Sequence, residues 1–135
     1  MRLLGVDFGS RKIGLAVCDS QTGLPTALRF LVASGTLAKD AIAICRIANE
    51  QIAEKVILGL PVDLDGETKM SKVVRLLGSK IEEVGLPVEY ENESMTSQIA
   101  ETRMKEQGMK GSEIRKRVDS EAACQILERY LGRHE

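Results

Sequence analysis

Residues 1–20 read MRLLGVDFGSRKIGLAVCDS. Two apolar runs, Leu3 to Phe8 and Ile13 to Cys18, flank a connection built from Gly9, Ser10, Arg11 and Lys12. Short apolar runs joined through a glycine-containing turn predict a β-hairpin. Asp7 breaks the pattern by placing a carboxylate inside the first strand, two residues before the turn. Burying a carboxylate is costly unless its charge is balanced. Asp7 is therefore either an acceptor for turn amides at the hairpin end or a cation ligand at the rim of the core.

The rest of the chain supplies the frame for that hairpin. Thr26 to Val32 reads as a third strand after the turn at Gly23-Leu24-Pro25. Leu37, Ala41, Ile44, Cys45, Ala48 and Ile52 recur at helical spacing. Lys55 to Leu58 predicts a short buried strand stopped by Gly59-Leu60-Pro61. Met70, Val73, Val74, Leu77, Ile81 and Val84 form a helical stripe, and Pro87 to Tyr90 a fifth strand. Two helices close the chain, one around Ser97 to Glu106 and one ending near Leu131, with Gly108 and Gly111 between them. The order β-β-β-α-β-α-β-α-α predicts one α/β domain over residues 1–135, a five-stranded mixed β-sheet flanked by α-helices. Helical crossovers return a chain in the same direction, so the first, fourth and fifth strands are expected to be parallel.

Composition narrows the function. The net charge of −1 gives no global field for nucleic acid, so such binding would need a local basic patch. Cys18, Cys45 and Cys124 are far apart, form no CxxC pair and read as small core residues. A reducing, cytoplasmic setting is expected. No signal peptide is read at the N-terminus, and no apolar run approaches the ~18 residues of a membrane span. His134 is the single histidine and lies at the tail, which argues against histidine-based catalysis or metal binding.

In parallel sheets, sites form outside the carboxyl ends of the strands. Asp7, the Gly59-Leu60-Pro61 stretch and Glu93 are all expected at that edge. Asp119 is a third candidate, in the stretch RKRVDSEAACQIL. On a helix its same-face neighbours are Ala122, Ala123, Ile126 and Tyr130, so it looks toward the sheet, while Glu121 points away. Carboxylates without a histidine or thiol pair suit Mg²⁺ or Mn²⁺ rather than zinc. A pair of such ions can promote phosphodiester hydrolysis, and Arg11, Lys12, Arg115, Lys116 and Arg117 would supply phosphate contacts. Plainer readings stand beside these. Glu93 is also a suitable acid ahead of a helix start, and Asp119 an N-cap or a partner of Arg115. The basic triplet also reads as a solvated face, and Asp63 and Asp65 as turn residues.

Four ordered blocks now carry a resemblance: GVDFGSRKIGLAVCD, VILGLPVDLDGE, VEYENESMTSQIAE and VDSEAACQILERYL. Together they resemble the YqgF (RuvX-like) family over essentially the whole chain. That family is described as Holliday-junction resolvases and as nucleases maturing precursor 16S ribosomal RNA. The resemblance implies a ribonuclease H-like fold and metal-dependent phosphodiester hydrolysis. It assigns the metal-binding and catalytic acids to Asp7, Glu93 and Asp119. One block departs from the family pattern. Asn92 and Ser94 stand where the family usually has Asp and Arg, so a substrate-contacting arginine is missing.

The implied partner is structured RNA or branched DNA, bound by a monomer or homodimer, with no membrane involved. Aromatic residues make up 3% of the chain, too few for a base-stacking platform, which favours recognition by backbone and shape. Two rival readings remain. One is a non-catalytic module docking on RNA or a ribosomal particle. The other is an ATP-using enzyme, because GVDFGSRKIGLAV also resembles the first phosphate motif of the actin-like and sugar-kinase superfamily. Those enzymes need two such domains, and this chain holds one.

Overall fold

The computed structural model describes residues 1–93 and 111–133, with side chains in the last helix described from Ser120 onward. The elements are β1 (Arg2–Phe8), β2 (Lys12–Asp19), β3 (Thr26–Val32), α1 (Leu37–Glu50), β4 (Lys55–Asp63), β5 (Gly66–Glu67), α2 (Lys69–Val84), β6 (Val88–Glu93) and α3 (Gly111–Arg133). The expected helix around Ser97 to Glu106 lies outside the described residues.

The main sheet has five strands in the order β3-β2-β1-β4-β6, and β5 is a two-residue partner for the far end of β4. β1 pairs antiparallel with β2, and β2 with β3. β4 runs parallel to both β1 and β6. The mixed sheet with its parallel trio is the predicted one. The turn between β1 and β2 is tight, with the Gly9 amide donating to the Lys12 carbonyl at 3.0 Å. A Cβ on Gly9 would lie 2.7 Å from that same oxygen. Gly9→Val should therefore lower both the melting temperature and activity, measured by thermal melts and a cleavage assay, because a backbone oxygen cannot step aside cheaply.

Two strand ends differ from expectation. β4 does not stop at Gly59-Leu60-Pro61 but continues to Asp63. Its ladder with β1 ends at the Val6–Leu58 pair, so Pro61 stands where that side of β4 is already an edge and no donor is needed. β6 likewise runs past Tyr90 to Glu93. Beyond β4, the Asp63 carboxylate accepts from the Asp65 amide at 2.8 Å, which makes these two acids turn residues. The following helix α2 opens on a reciprocal cap between Thr68 and Ser71, and the Ser71 hydroxyl also bonds the Pro61 carbonyl.

Strand alternation divides the core into two layers. Leu4, Val6, Leu15, Val56 and Leu58 pack with Ile44, Ala48, Leu77 and Ile81 of α1 and α2. On the other face Leu3, Ala16, Cys18 and Ile57 pack with Ala123, Ile126, Leu127 and Tyr130 of α3. All three cysteines are buried, and none is in a disulfide. α3 crosses the sheet at an angle: the Ser120 hydroxyl donates to Leu28 of β3, while Arg133 reaches Glu91 of β6. The second face, under α3, is the one that carries Asp7.

Candidate active site at the carboxyl edge of the sheet

Asp7 is the penultimate residue of β1, and Glu93 the last of β6. β4 lies between the two strands, yet the two carboxylates share a hydrogen bond. What permits this is Gly59 on β4, one step beyond the Val6–Leu58 pair. A Cβ there would lie 2.6 Å from Glu93 Oε2 and 2.5 Å from Ile126 Cδ1. The missing side chain leaves the trough through which Glu93 reaches across β4. Gly59 thus acts by the space it leaves, which a Gly-Leu-Pro breaker reading of the sequence cannot reveal.

The electrostatics follow from that crowding. Burial pushes the Asp7 carboxyl up, and its hydrogen bond with Glu93 pulls it back. Glu93 is pushed up to about 10, first by burial and then by the hydrogen bond and negative charge of Asp7, with Arg129 opposing the rise. Two carboxylates that meet in a desolvated trough hold one proton between them near neutrality, because both cannot ionise cheaply. The donor set is oxygen only and would be dianionic without that proton, which fits a hard divalent cation. Among the described residues no third histidine, cysteine or acid joins the pair in a metal-sized group.

Glu93 belongs to a row. Glu89, Glu91 and Glu93 alternate along β6 and face α3. Glu89 accepts from the Tyr130 hydroxyl and pairs with Lys55 at 3.0 Å. Glu91, 6% exposed, is held by Arg133 through Nε at 2.7 Å and Nη2 at 2.5 Å. These two acids are already compensated and tie β6 to α3. Glu93 instead shares its hydrogen bond with another acid, Asp7, with the Arg129 charge nearby.

The remaining predicted residues fall into two groups. Arg11 and Lys12 are exposed on the turn that follows Asp7. The Arg11 carbonyl accepts from the Ala33 amide at 2.9 Å, and the Lys12 ammonium lies 5.0 Å from the centre of the Phe30 ring. Lys12 thus lies over Phe30 of β3, and both side chains stay exposed. Asp119, Arg115, Lys116 and Arg117 belong to α3, but their side chains lie outside the described part. Ala122, Ala123, Ile126 and Tyr130, the same-face neighbours of position 119, are buried against the sheet. Sequence reasoning missed Arg129, whose Nη1 donates to the Asn92 carbonyl at 3.3 Å. The available signal was its place three residues after Ile126, on the edge of the same stripe.

The family model described as RuvX, Holliday junction resolvase, matches residues 1–133. A protein of Anaeromyxobacter dehalogenans strain 2CP-1, named "Putative pre-16S rRNA nuclease", is 37% identical over 135 residues, covering 98% of each chain. A protein of the same name from Thermosynechococcus vestitus is 36% identical, over 96% of this chain and 86% of that one. Among solved structures, Thermus thermophilus RuvC in complex with Holliday junction substrate superposes with a TM-score of 0.57 at 14% identity, over 99% of this chain and 95% of that one. Fowlpox virus resolvase with its junction DNA gives 0.56 at 14%, over 99% of both. At that identity the two structures speak for the fold, which is the predicted ribonuclease H-like one.

Proposed function

Because the chain belongs to the RuvX family, described as Holliday junction resolvases, we propose that it is a divalent-metal-dependent nuclease. Its substrate is a structured ribosomal RNA precursor or a branched DNA, and Asp7, Glu93 and Asp119 are its metal-binding and catalytic carboxylates. The observation that carries this reading is the apposition of Asp7 and Glu93 over Gly59, two acids from strands on either side of β4 sharing one hydrogen bond.

Asp7 and Glu93 would hold Mg²⁺ or Mn²⁺ once their shared proton leaves, and Asp119, one turn before Ala122 and Ala123, completes the set. A hard cation held by these carboxylates would supply polarisation of a phosphate oxygen and activation of water. The protein's part is to keep the carboxylates in register on the rigid ends of β1 and β6 and to present cations to the substrate backbone. Arg11 lies on the turn directly after Asp7, and Arg115, Lys116 and Arg117 lie in the first turns of α3. If these contact phosphates, binding should weaken steeply with salt despite the net charge of −1. Four such phosphate contacts correspond to a slope of about −3 to −4 in log affinity against log salt. A flat response in a salt titration would rule out the basic patch.

The relatives that match end to end carry a ribosomal RNA name, which makes RNA maturation the first reading of the substrate. Junction resolution is the second, favoured by the fold shared with two proteins solved on junction DNA. Purified protein with Mn²⁺, offered a ribosomal RNA precursor and a four-way DNA junction in parallel, separates the two. Cleavage of neither, together with no Mn²⁺ shift in melting temperature, would instead favour a non-catalytic RNA-binding module.

A further inference from the structure

Arg129 stands at the acid pair without a carboxylate partner of its own among the described residues. Arg133, one turn on, is engaged by the Glu91 carboxylate through two nitrogens, and Arg75 in the same way by Glu67. Arg129 is half-buried beside Glu93, and among the described residues its hydrogen bond goes to a neutral acceptor, the Asn92 carbonyl at 3.3 Å. A guanidinium offers five N–H donors in a planar fork. One bond to a carbonyl orients the fork without neutralising it, and among the described residues the other donors have no hydrogen-bond partner. Its neighbour on the helix stripe, Ile126, packs over Gly59 and the Glu93 carboxylate, so the fork is placed at the rim of the acid trough.

A fixed cation beside a metal-binding carboxylate opposes metal binding unless an anion joins it. The anion that such a site admits in turnover is a phosphate of the nucleic-acid backbone, and a planar fork matches it bidentately. We infer that Arg129 is a substrate-contacting residue, held by the Asn92 carbonyl so that its free N–H groups bind a backbone phosphate next to the cleaved bond. This rests on the nuclease reading above.

The test measures binding in the Asp7→Asn background, which is expected to bind without cutting, using a labelled four-way DNA junction and a labelled RNA stem-loop. Adding Arg129→Ala should weaken binding about tenfold at 0.1 M salt and make the salt slope less negative by about 0.9, the loss of one phosphate contact. Arg129→Lys should retain the slope but lose part of the affinity, since it keeps the charge and not the fork. With Asp7 intact, Arg129→Ala should raise KM about tenfold, leave kcat within about twofold, and retain the Mn²⁺ thermal shift. A purely structural arginine would give the reverse: an unchanged salt slope, a lower kcat and a weakened Mn²⁺ shift, and that result overturns the inference. Should the alanine variant fail to fold, Arg129→Gln removes the charge while keeping a donor for the Asn92 carbonyl, and its salt slope decides in the same way. If wild type binds and cuts neither probe, the nuclease reading and this inference fall together. If wild type cuts and the slope of the variants is unchanged, this inference alone falls.

Discussion

Asp7→Asn abolishes cleavage while leaving the metal-free protein as stable as wild type or more so: this is the expected result if Asp7 and Glu93 share a cation. The loss in activity should exceed about 100-fold, because removing a ligand outright costs more than the 10–100-fold typical of residues that merely support one. The stability expectation comes from the crowding. In the folded, metal-free protein Glu93 is pushed from 4.5 up to about 10, with Asp7 as one cause. A carboxyl whose folded value is raised keeps a proton that the unfolded chain releases. Its contribution to stability is therefore full below about pH 4.5 and is lost progressively as pH rises toward about 10. Asparagine removes the negative neighbour, so the decline across that window should become shallower. In wild type, Mn²⁺ takes over the role of the proton and should raise the melting temperature more at pH 8 than at pH 5. Asp7→Asn should lose that shift. If Asp7 only bonds turn amides, the outcome reverses, with lower stability and an unchanged metal response. Thermal melts of both proteins at the two pH values, with and without Mn²⁺, decide between them.

Much of this architecture is written locally in the chain. The β1–β2 hairpin is legible because two apolar runs bracket a glycine turn, and the parallel trio because each of its members is separated by a helical stripe. The strand ends were harder to read. Gly59-Leu60-Pro61 looks like a terminator, yet proline is harmless where β1 has already ended. The run Glu91-Asn92-Glu93 looks like a loop, yet Arg133 satisfies Glu91 in the α3 layer and the strand continues. β5 is two residues long and leaves no periodic signal. The meeting of Asp7 with Glu93 could be anticipated from the rule that parallel strands converge their carboxyl ends on one edge. Its details could not, because they depend on how α3 crosses the sheet. The sequence points to a missing arginine at Ser94, and the guanidinium found beside Glu93 comes instead from Arg129 on a different element.

Gly59→Ala is expected to separate site from scaffold. Its Cβ would meet Ile126 Cδ1 at 2.5 Å and Glu93 Oε2 at 2.6 Å. The isoleucine methyl ends a side chain that can change rotamer, so that contact costs about 1–3 kcal/mol of overpacking rather than the fold. The Glu93 carboxylate is tied to Asp7 and can yield only by leaving it. Cleavage should then fall more than about tenfold and the Mn²⁺ shift should shrink, since misplacing a reacting group by an ångström costs on the order of a hundredfold in rate. Gly132→Ala is the control. It lies on α3 with nothing within 4 Å of its added Cβ, and it should leave cleavage unchanged while gaining up to about 1 kcal/mol of helix propensity. The readouts are cleavage rate, Mn²⁺-dependent melting and denaturant midpoint for both variants. Gly59→Ala with lower stability but full activity would show that the space over β4 is not reserved for Glu93, and the acid pair would then lose its geometric basis. Lost activity with most stability retained is the outcome that a trough kept open for one carboxylate requires.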